Sequence, residues 1–271
     1  MNTSLTKTFS NNLRLFFDGA FLSYIALFRW LRPMTYIASK VFGPLTYMLF
    51  FVFLGQYATG VANASFYVVG NAIQMVANSG IFGVTMSVSG DRWDGTLPYL
   101  FGTPANRLAL FFGRAFMHVI DGAFGTVLAF GWGVLLMDLD LSHANFPALA
   151  AVIVVTAFST CGLGLLFGSL SLVTRNVMFV NNTVFFLLLF FSGANVPLAS
   201  LPGWMQSISF ALPLTRGIAA ARLIVDGAGL GEVGSMLSVE SLFGVVYIAI
   251  GFSMFRWFEY QAKKRGTLEV V

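Results

Sequence analysis

Residues 41–90 form a run of fifty positions without one Asp, Glu, Lys or Arg, and residues 141–174 and 176–215 form two more such runs. A helix rises 1.5 Å per residue and a hydrocarbon core is about 30 Å thick, so one crossing takes about 20 residues. The longest run therefore holds two crossings and a tight turn, and the others divide likewise. Composition agrees: 10% of the 271 residues are charged, against about 25% in soluble domains, which excludes a water-exposed globule. Barrel strands would show short alternating segments, and residues 180–191 do not alternate. The expected fold is an all-α integral membrane protein, a single transmembrane domain over residues 1–271. Its six spans are expected near residues 41–58, 66–88, 110–132, 147–170, 177–193 and 241–258.

The net charge of +4 raises nucleic acid as a partner, and the placement of the charges argues against it. Short loops rich in Lys and Arg stay in the cytoplasm. With six spans and the N-terminus inside, the inner segments hold Lys7, Arg14, Arg29, Arg32, Lys40, Arg92, Arg107, Arg114, Arg175, Arg256, Lys263, Lys264 and Arg265. Only Arg216 and Arg222 fall outside, where Asp138, Asp140, Asp226, Glu232 and Glu240 make the loops acidic. Both termini are then cytoplasmic. The tryptophans agree, since indole prefers the headgroup level. Trp30 precedes span one, Trp93 lies in an inner loop, Trp132 ends span three on the outside, Trp204 is in an outer segment and Trp257 ends span six inside. The first apolar run starts some forty residues in without a small-residue cleavage site, so a removable signal peptide is not expected. The one cysteine, Cys161, falls in span four and reads as a packing residue; one thiol makes neither an intramolecular disulfide nor a thiolate metal cluster.

Outside the spans, Leu13, Phe17, Phe21, Tyr24, Phe28 and Leu31 recur at steps of three or four. That spacing predicts an amphipathic helix over residues 10–33 lying in the inner interface, as an anchor or a transmitter of motion. In residues 91–107, Asp94 or Thr96 can cap a short helix, Pro98 fits its first turn, and Gly102 and Pro104 stop it. A helix so short needs a support. Residues 194–226 are too apolar for a free loop and too broken by Pro197, Pro202 and Pro213 for a span. They read as two short outer helices dipping partly into the membrane. Residues 226–240 read as a solvated outer loop.

Together these features resemble the ABC-2 type permeases, the membrane subunits of one class of ATP-driven exporters. In that family the inner loop reads acidic-Arg, then Gly-Thr-Leu-Glu, then Thr-Pro. Here Asp91-Arg92, Gly95-Thr96-Leu97 and Thr103-Pro104 match, and Pro98 stands in place of the Glu. The resemblance implies that residues 91–107, with Asp91, Arg92, Asp94, Gly95, Thr96, Leu97, Pro98, Thr103 and Pro104, couple to the ATPase, and that the outer helices cap the exit. It also implies a plasma membrane location, a bacterial inner membrane in particular, and a second permease copy or homologue beside two ABC ATPase subunits. ATP and magnesium would be bound by those ATPases, because none of the four lysines sits in a Gly-x-x-x-x-Gly-Lys-Ser/Thr phosphate loop.

On span two, Asn71, Gln74, Asn78, Thr85 and Ser89 share an arc of about 60° at 100° per residue. Amides in hydrocarbon face a bundle interior or a wet cavity, so the stripe is either a pathway lining, as the resemblance favours, or interhelical glue. Span five adds Asn181, Asn182, Phe185 and Phe186, a set suited to an amphiphile and also to packing. Arg114, His118 and Asp121 are spaced for one helix face. Asp121, near a midplane, reads as neutral or paired to His118 in a structural cluster, or as a proton relay or gate. Gly164 and Gly168 form a Gly-x-x-x-Gly packing pair. No catalytic or metal-binding constellation is present in the sequence, and an enzyme is not expected. The expected job is outward movement of a hydrophobic or amphipathic small molecule, a drug or lipid. A lipid-linked glycan or polysaccharide is the main alternative, and an ion-coupled secondary transporter the lesser one.

Overall fold

The computed structural model describes residues 2–29, 32–59, 64–172 and 176–265. Trp30, Leu31 and Arg175, and the side chains of Lys7 and Arg265, lie outside the described residues. Among those described there is no strand. The helices in chain order are α1 (Asn2–Phe28), α2 (Pro33–Thr59), α3 (Ala64–Ala77), a π-helical turn (Asn78–Gly83), α4 (Val84–Trp93), α5 (Leu97–Gly102), α6 (Arg107–Leu136), α7 (Phe146–Ser171), α8 (Val177–Phe191), α9 (Gly203–Ala211), α10 (Thr215–Val225) and α11 (Leu230–Arg265).

Four of them, α2, α6, α7 and α11, are long and apolar enough to cross a membrane. The expected second span is helical throughout residues 64–93 but is broken by the π turn into pieces of 14, 6 and 10 residues. The expected fifth, α8, has 15 residues. Helices α9 and α10 form an apolar pair bent by 90°. The break falls at Pro213, where a backbone N–H is missing, and at Leu214, whose φ is 84°.

The segment 226–240 is a correction: α11 begins at Leu230, so most of the expected loop is helix. Val233 and Leu237, spaced by four, both pack into the core, and Glu240, expected as a loop charge, is fully buried.

Helix α7 is central, with 67% of its apolar window buried against 17% for α2. Its Gly-x-x-x-Gly pair packs within the chain. A Cβ on Gly164 would stand 2.1 Å from the carbonyl of Gly80 in the π turn, and one on Gly168 2.9 Å from Val88. Helix α1 lies along α6. Ala20 is buried, the Phe16 ring meets Phe116 at 5.4 Å, and Leu13 and Phe21 stay exposed. Its apolar residues are therefore split between the bundle and the outside, because an i, i+4 ladder covers only part of the stripe.

Candidate functional site

A cavity of about 630 Å³ opens among α1, α2, α3, the π turn, α4, α6 and the start of α8. Tyr47, Met75, Phe82, Met86 and Met178 make most of it apolar, and Lys40, Asn78, Ser79, His118 and Asp121 bring polar groups to it. The Lys40 ammonium lies 2.6 Å from one Asp121 oxygen. The same oxygen accepts from the Ser79 hydroxyl at 2.5 Å, and the other accepts from Tyr24 at 2.7 Å. Burial, and then the bond to Asp121, push the Tyr24 hydroxyl above the usual tyrosine range, so it stays a donor. Tyr24 in turn meets Tyr36 of α2 at 2.5 Å, so three segments that share no sequence proximity converge on one carboxylate.

This corrects the expected pairing of Asp121. Its cation is Lys40, 81 residues away, and His118 instead meets Ser87 at 2.9 Å and Ser79 at 3.4 Å. Asp121 lies at the middle of α6, fourteen residues from Arg107 and fifteen from Leu136. Nearby, Pro44 has no N–H to give the Lys40 carbonyl.

Arg114 turns away from Asp121 to α4. It pairs with Asp91 and donates to the Ser87 carbonyl at 2.7 Å. Asp91 also receives the Thr96 hydroxyl at 3.1 Å and, on its carbonyl, the Thr96 N–H at 2.8 Å. Thr96 thus closes the turn at its own start and does not cap α5 with its side chain. Gly95, at φ 67°, supplies a left-handed residue that other side chains resist. Helix α5 matches the expected short helix with Pro98 in its first turn. Its far end is held by Arg107, which donates to the carbonyls of Leu100, Phe101 and Thr103 and to Glu259 of α11 at 2.9 Å. Arg92 donates to the Ser171 carbonyl. Phe101 is buried against Phe111 and Phe255, while Asp94, Gly95, Thr96, Tyr99, Thr103 and Pro104 are exposed. A rigidly seated segment therefore presents an exposed ridge.

The polar stripe of span two meets different surroundings along its length. Asn78 lines the cavity. Asn71 and Gln74 are fully buried, Asn71 donating to Asn195 at 2.8 Å and Gln74 accepting from Ser192 at 3.3 Å. Thr85 donates to the Gly164 carbonyl of α7. On α8, Asn181 is buried with neither side-chain polar atom partnered, and Asn182 and Phe186 are exposed. Phe185 meets Tyr47 at 6.4 Å and Phe82 at 5.7 Å, behind the cavity wall. Sequence reasoning missed three anchors. Arg222 lies over the Phe66 ring at 3.6 Å and donates to the carbonyls of Phe66, Gly193 and Ala194. Glu240 accepts from the Leu214 N–H at 2.7 Å, and Lys40 completes the Asp121 site. Two charges in apolar surroundings at Arg222 and Glu240 were the available signal.

The family model for ABC-2 type transporters matches residues 20–225. The daunorubicin resistance ABC transporter permease protein DrrB1 of Streptomyces coeruleorubidus is 28% identical over 226 residues, covering 79% of this chain and 77% of that protein. The probable multidrug ABC transporter permease YbhR of Escherichia coli is 27% identical over 150 residues, 55% of this chain and 40% of that longer protein. With three-quarters of its length inside the family match, the chain belongs to the ABC-2 type transporters, as a multi-pass permease subunit that is not itself an enzyme and works with a separate ABC ATPase.

Proposed function

We propose that this chain moves a hydrophobic or amphipathic small molecule, a drug or lipid, outward across a bacterial plasma membrane. The cavity carries the reading: its volume lies in the range of drug-sized sites, and apolar walls with a few convergent polar groups suit an amphiphile. The relatives named for daunorubicin resistance and multidrug transport support the same class. Six crossings are proposed, formed by α2, the broken run α3 to α4, α6, α7, α8 and α11, with α9 and α10 re-entrant and both termini cytoplasmic. Residues 91–107 form the coupling segment. Its exposed ridge, Asp94 to Thr96 with Tyr99, Thr103 and Pro104, leans on one of two ATPase subunits, which bind ATP and magnesium. A second permease completes the assembly. Asn78, Asn182, Phe185 and Phe186 border the pathway, with the buried amides Asn71, Gln74 and Asn181 and the Thr85 hydroxyl behind it.

The test is the purified tagged chain with its co-purifying ATPase, reconstituted and assayed for ATP hydrolysis against lipophilic compounds and glycolipids. Stimulation by lipophilic compounds is expected. Purification without any ATPase sinks the coupling assignment, and stimulation by glycolipids alone replaces the substrate class with a glycan.

A further inference from the structure

The geometry points to Lys40 as the headgroup site of this cavity, specific for an acid: a single-chain or drug-sized amphiphile with a carboxylate or phosphate head, in preference to a lipophilic cation. Donors and acceptors at the polar wall are unequal. The Asp121 carboxylate already accepts from Lys40, Ser79 and Tyr24 and its side chain is 6% exposed. A cationic ligand would have to displace three donors to reach it. Lys40 is 24% exposed at its side chain, lines the cavity, and has three N–H donors of which Asp121 takes one. The rings of Phe28 and Tyr36, at 5.2 and 5.7 Å, flank the ammonium without occupying an N–H along a lone pair. Asn78, exposed on the same cavity, offers amide donors and an amide acceptor alike and leaves the balance to Lys40 and Asp121. The donor capacity left over at the polar wall therefore exceeds the acceptor capacity, and an acceptor-rich head fits it.

The apolar lining agrees: the ammonium and the apolar walls share one cavity. Tyr47, Met75, Phe82 and Met178 supply the lining for the body of an amphiphile. A volume of about 630 Å³ suits one chain or one drug-sized body better than a two-tailed lipid. The assignment refines the substrate class proposed above, and only the export of the bound acid rests on that reading. Binding to the chain alone does not.

The experiment is photolabelling of the full chain in lipid nanodiscs with three diazirine probes: a fatty acid, a quaternary ammonium of equal chain length, and a two-chain phosphatidic acid. Labelled peptides are mapped by mass spectrometry. The fatty acid is expected to label the peptides holding Phe82, Met86 and Met178 saturably, with the other probes weaker there. Lys40→Met together with Asp121→Asn keeps the site neutral and should cut fatty acid labelling about tenfold. Lys40→Arg should retain it. Asp121→Asn alone frees the ammonium and should raise it, the opposite of what a cation site would do. Equal cavity labelling by the ammonium probe, preference for phosphatidic acid, or indifference to the double substitution would overturn the assignment. Those outcomes leave ATPase co-purification untouched, so this site and the permease reading fail separately.

Discussion

The two ends of the bundle are held together by different chemistry. At the end that carries α5, side-chain ion pairs close the structure: Arg107 with Glu259, and Arg114 with Asp91. Arg256 and Lys263 add their charges to Glu259, which has both oxygens engaged. At the end that carries α9 and α10, single charged groups hold backbone instead. Arg222 collects three carbonyls, and Glu240 takes the N–H of strained Leu214. Buried polar atoms are left over there, on Asn71, Gln74, Asn195, Arg216 and Arg222. No atom of Arg107, Arg114, Asp91 or Glu259 is among them. A saturated network resists rearrangement, whereas a partly satisfied one gains bonds when it shifts or takes in a partner. The α5 end is thus the more firmly tied of the two, and the α10 end the one with bonds still to gain.

The sharpest way to break this contrast is Arg107→Met. It takes one donor from a Glu259 oxygen that Lys263 also serves, and one from each of the carbonyls of Leu100, Phe101 and Thr103 at the end of α5. Removing one partner of a buried pair costs about 3–5 kcal/mol, reduced here to the extent that Arg256 and Lys263 still serve Glu259. A large fall in the thermal midpoint of the detergent-solubilised chain is expected, with loss of ATPase stimulation. A midpoint within a degree of the parent would show that the ion-pair end is no more rigid than the other.

Much of the α5 end was readable because its signals are local. Gly95, Pro98 and Pro104 mark a turn, a first helical turn and a stop within ten positions, and charge-free runs reveal helices without knowledge of their neighbours. The pairings were not readable. Lys40 meets Asp121 across 81 positions and Arg107 meets Glu259 across 152, and helical periodicity carries no information about which helix lies opposite. The stripe of span two parted for two reasons: Asn71 and Gln74 on α3 meet Asn195 and Ser192, far along the chain, and beyond them the wide turn at Asn78–Gly83 resets the 100° phase for Thr85 and Ser89. Glu240 was mistaken for a loop charge because composition cannot separate a carboxylate in water from one that has found a backbone N–H. Its neighbours Val233 and Leu237 carried the helical spacing that decides the matter.

The second prediction tests the unsaturated end. Gln74→Met keeps the volume of a fully buried side chain, removes an unpartnered Nε2 and gives up one long bond to Ser192. A volume-conserving swap at a half-satisfied amide should alter stability by about 1 kcal/mol or less, in either direction. If the amide serves a moving or liganded state, transport should nevertheless fall. Unchanged transport together with a stability loss as large as that of Arg107→Met would make Gln74 ordinary interhelical glue and erase the distinction between the ends.

The smallest structural effect belongs to the ridge. Tyr99 is 77% exposed and its side chain makes no bond that the fold needs, while its neighbours Phe101 and Leu100 carry the packing of α5. Tyr99→Ala should leave the thermal midpoint unchanged, since exposed substitutions away from such contacts stay within about 0.5 kcal/mol. An exposed aromatic on a rigid support is nevertheless the kind of anchor that dominates a protein interface. The expected result is a normally folded permease that retains less ATPase through purification and stimulates hydrolysis weakly. The comparison Phe101→Ala should do the reverse, lowering stability by removing a buried ring. If Tyr99→Ala left ATPase retention at the parental level, the face that α5 presents would not be the one the ATPase holds, and the rigidity of this end would need another use.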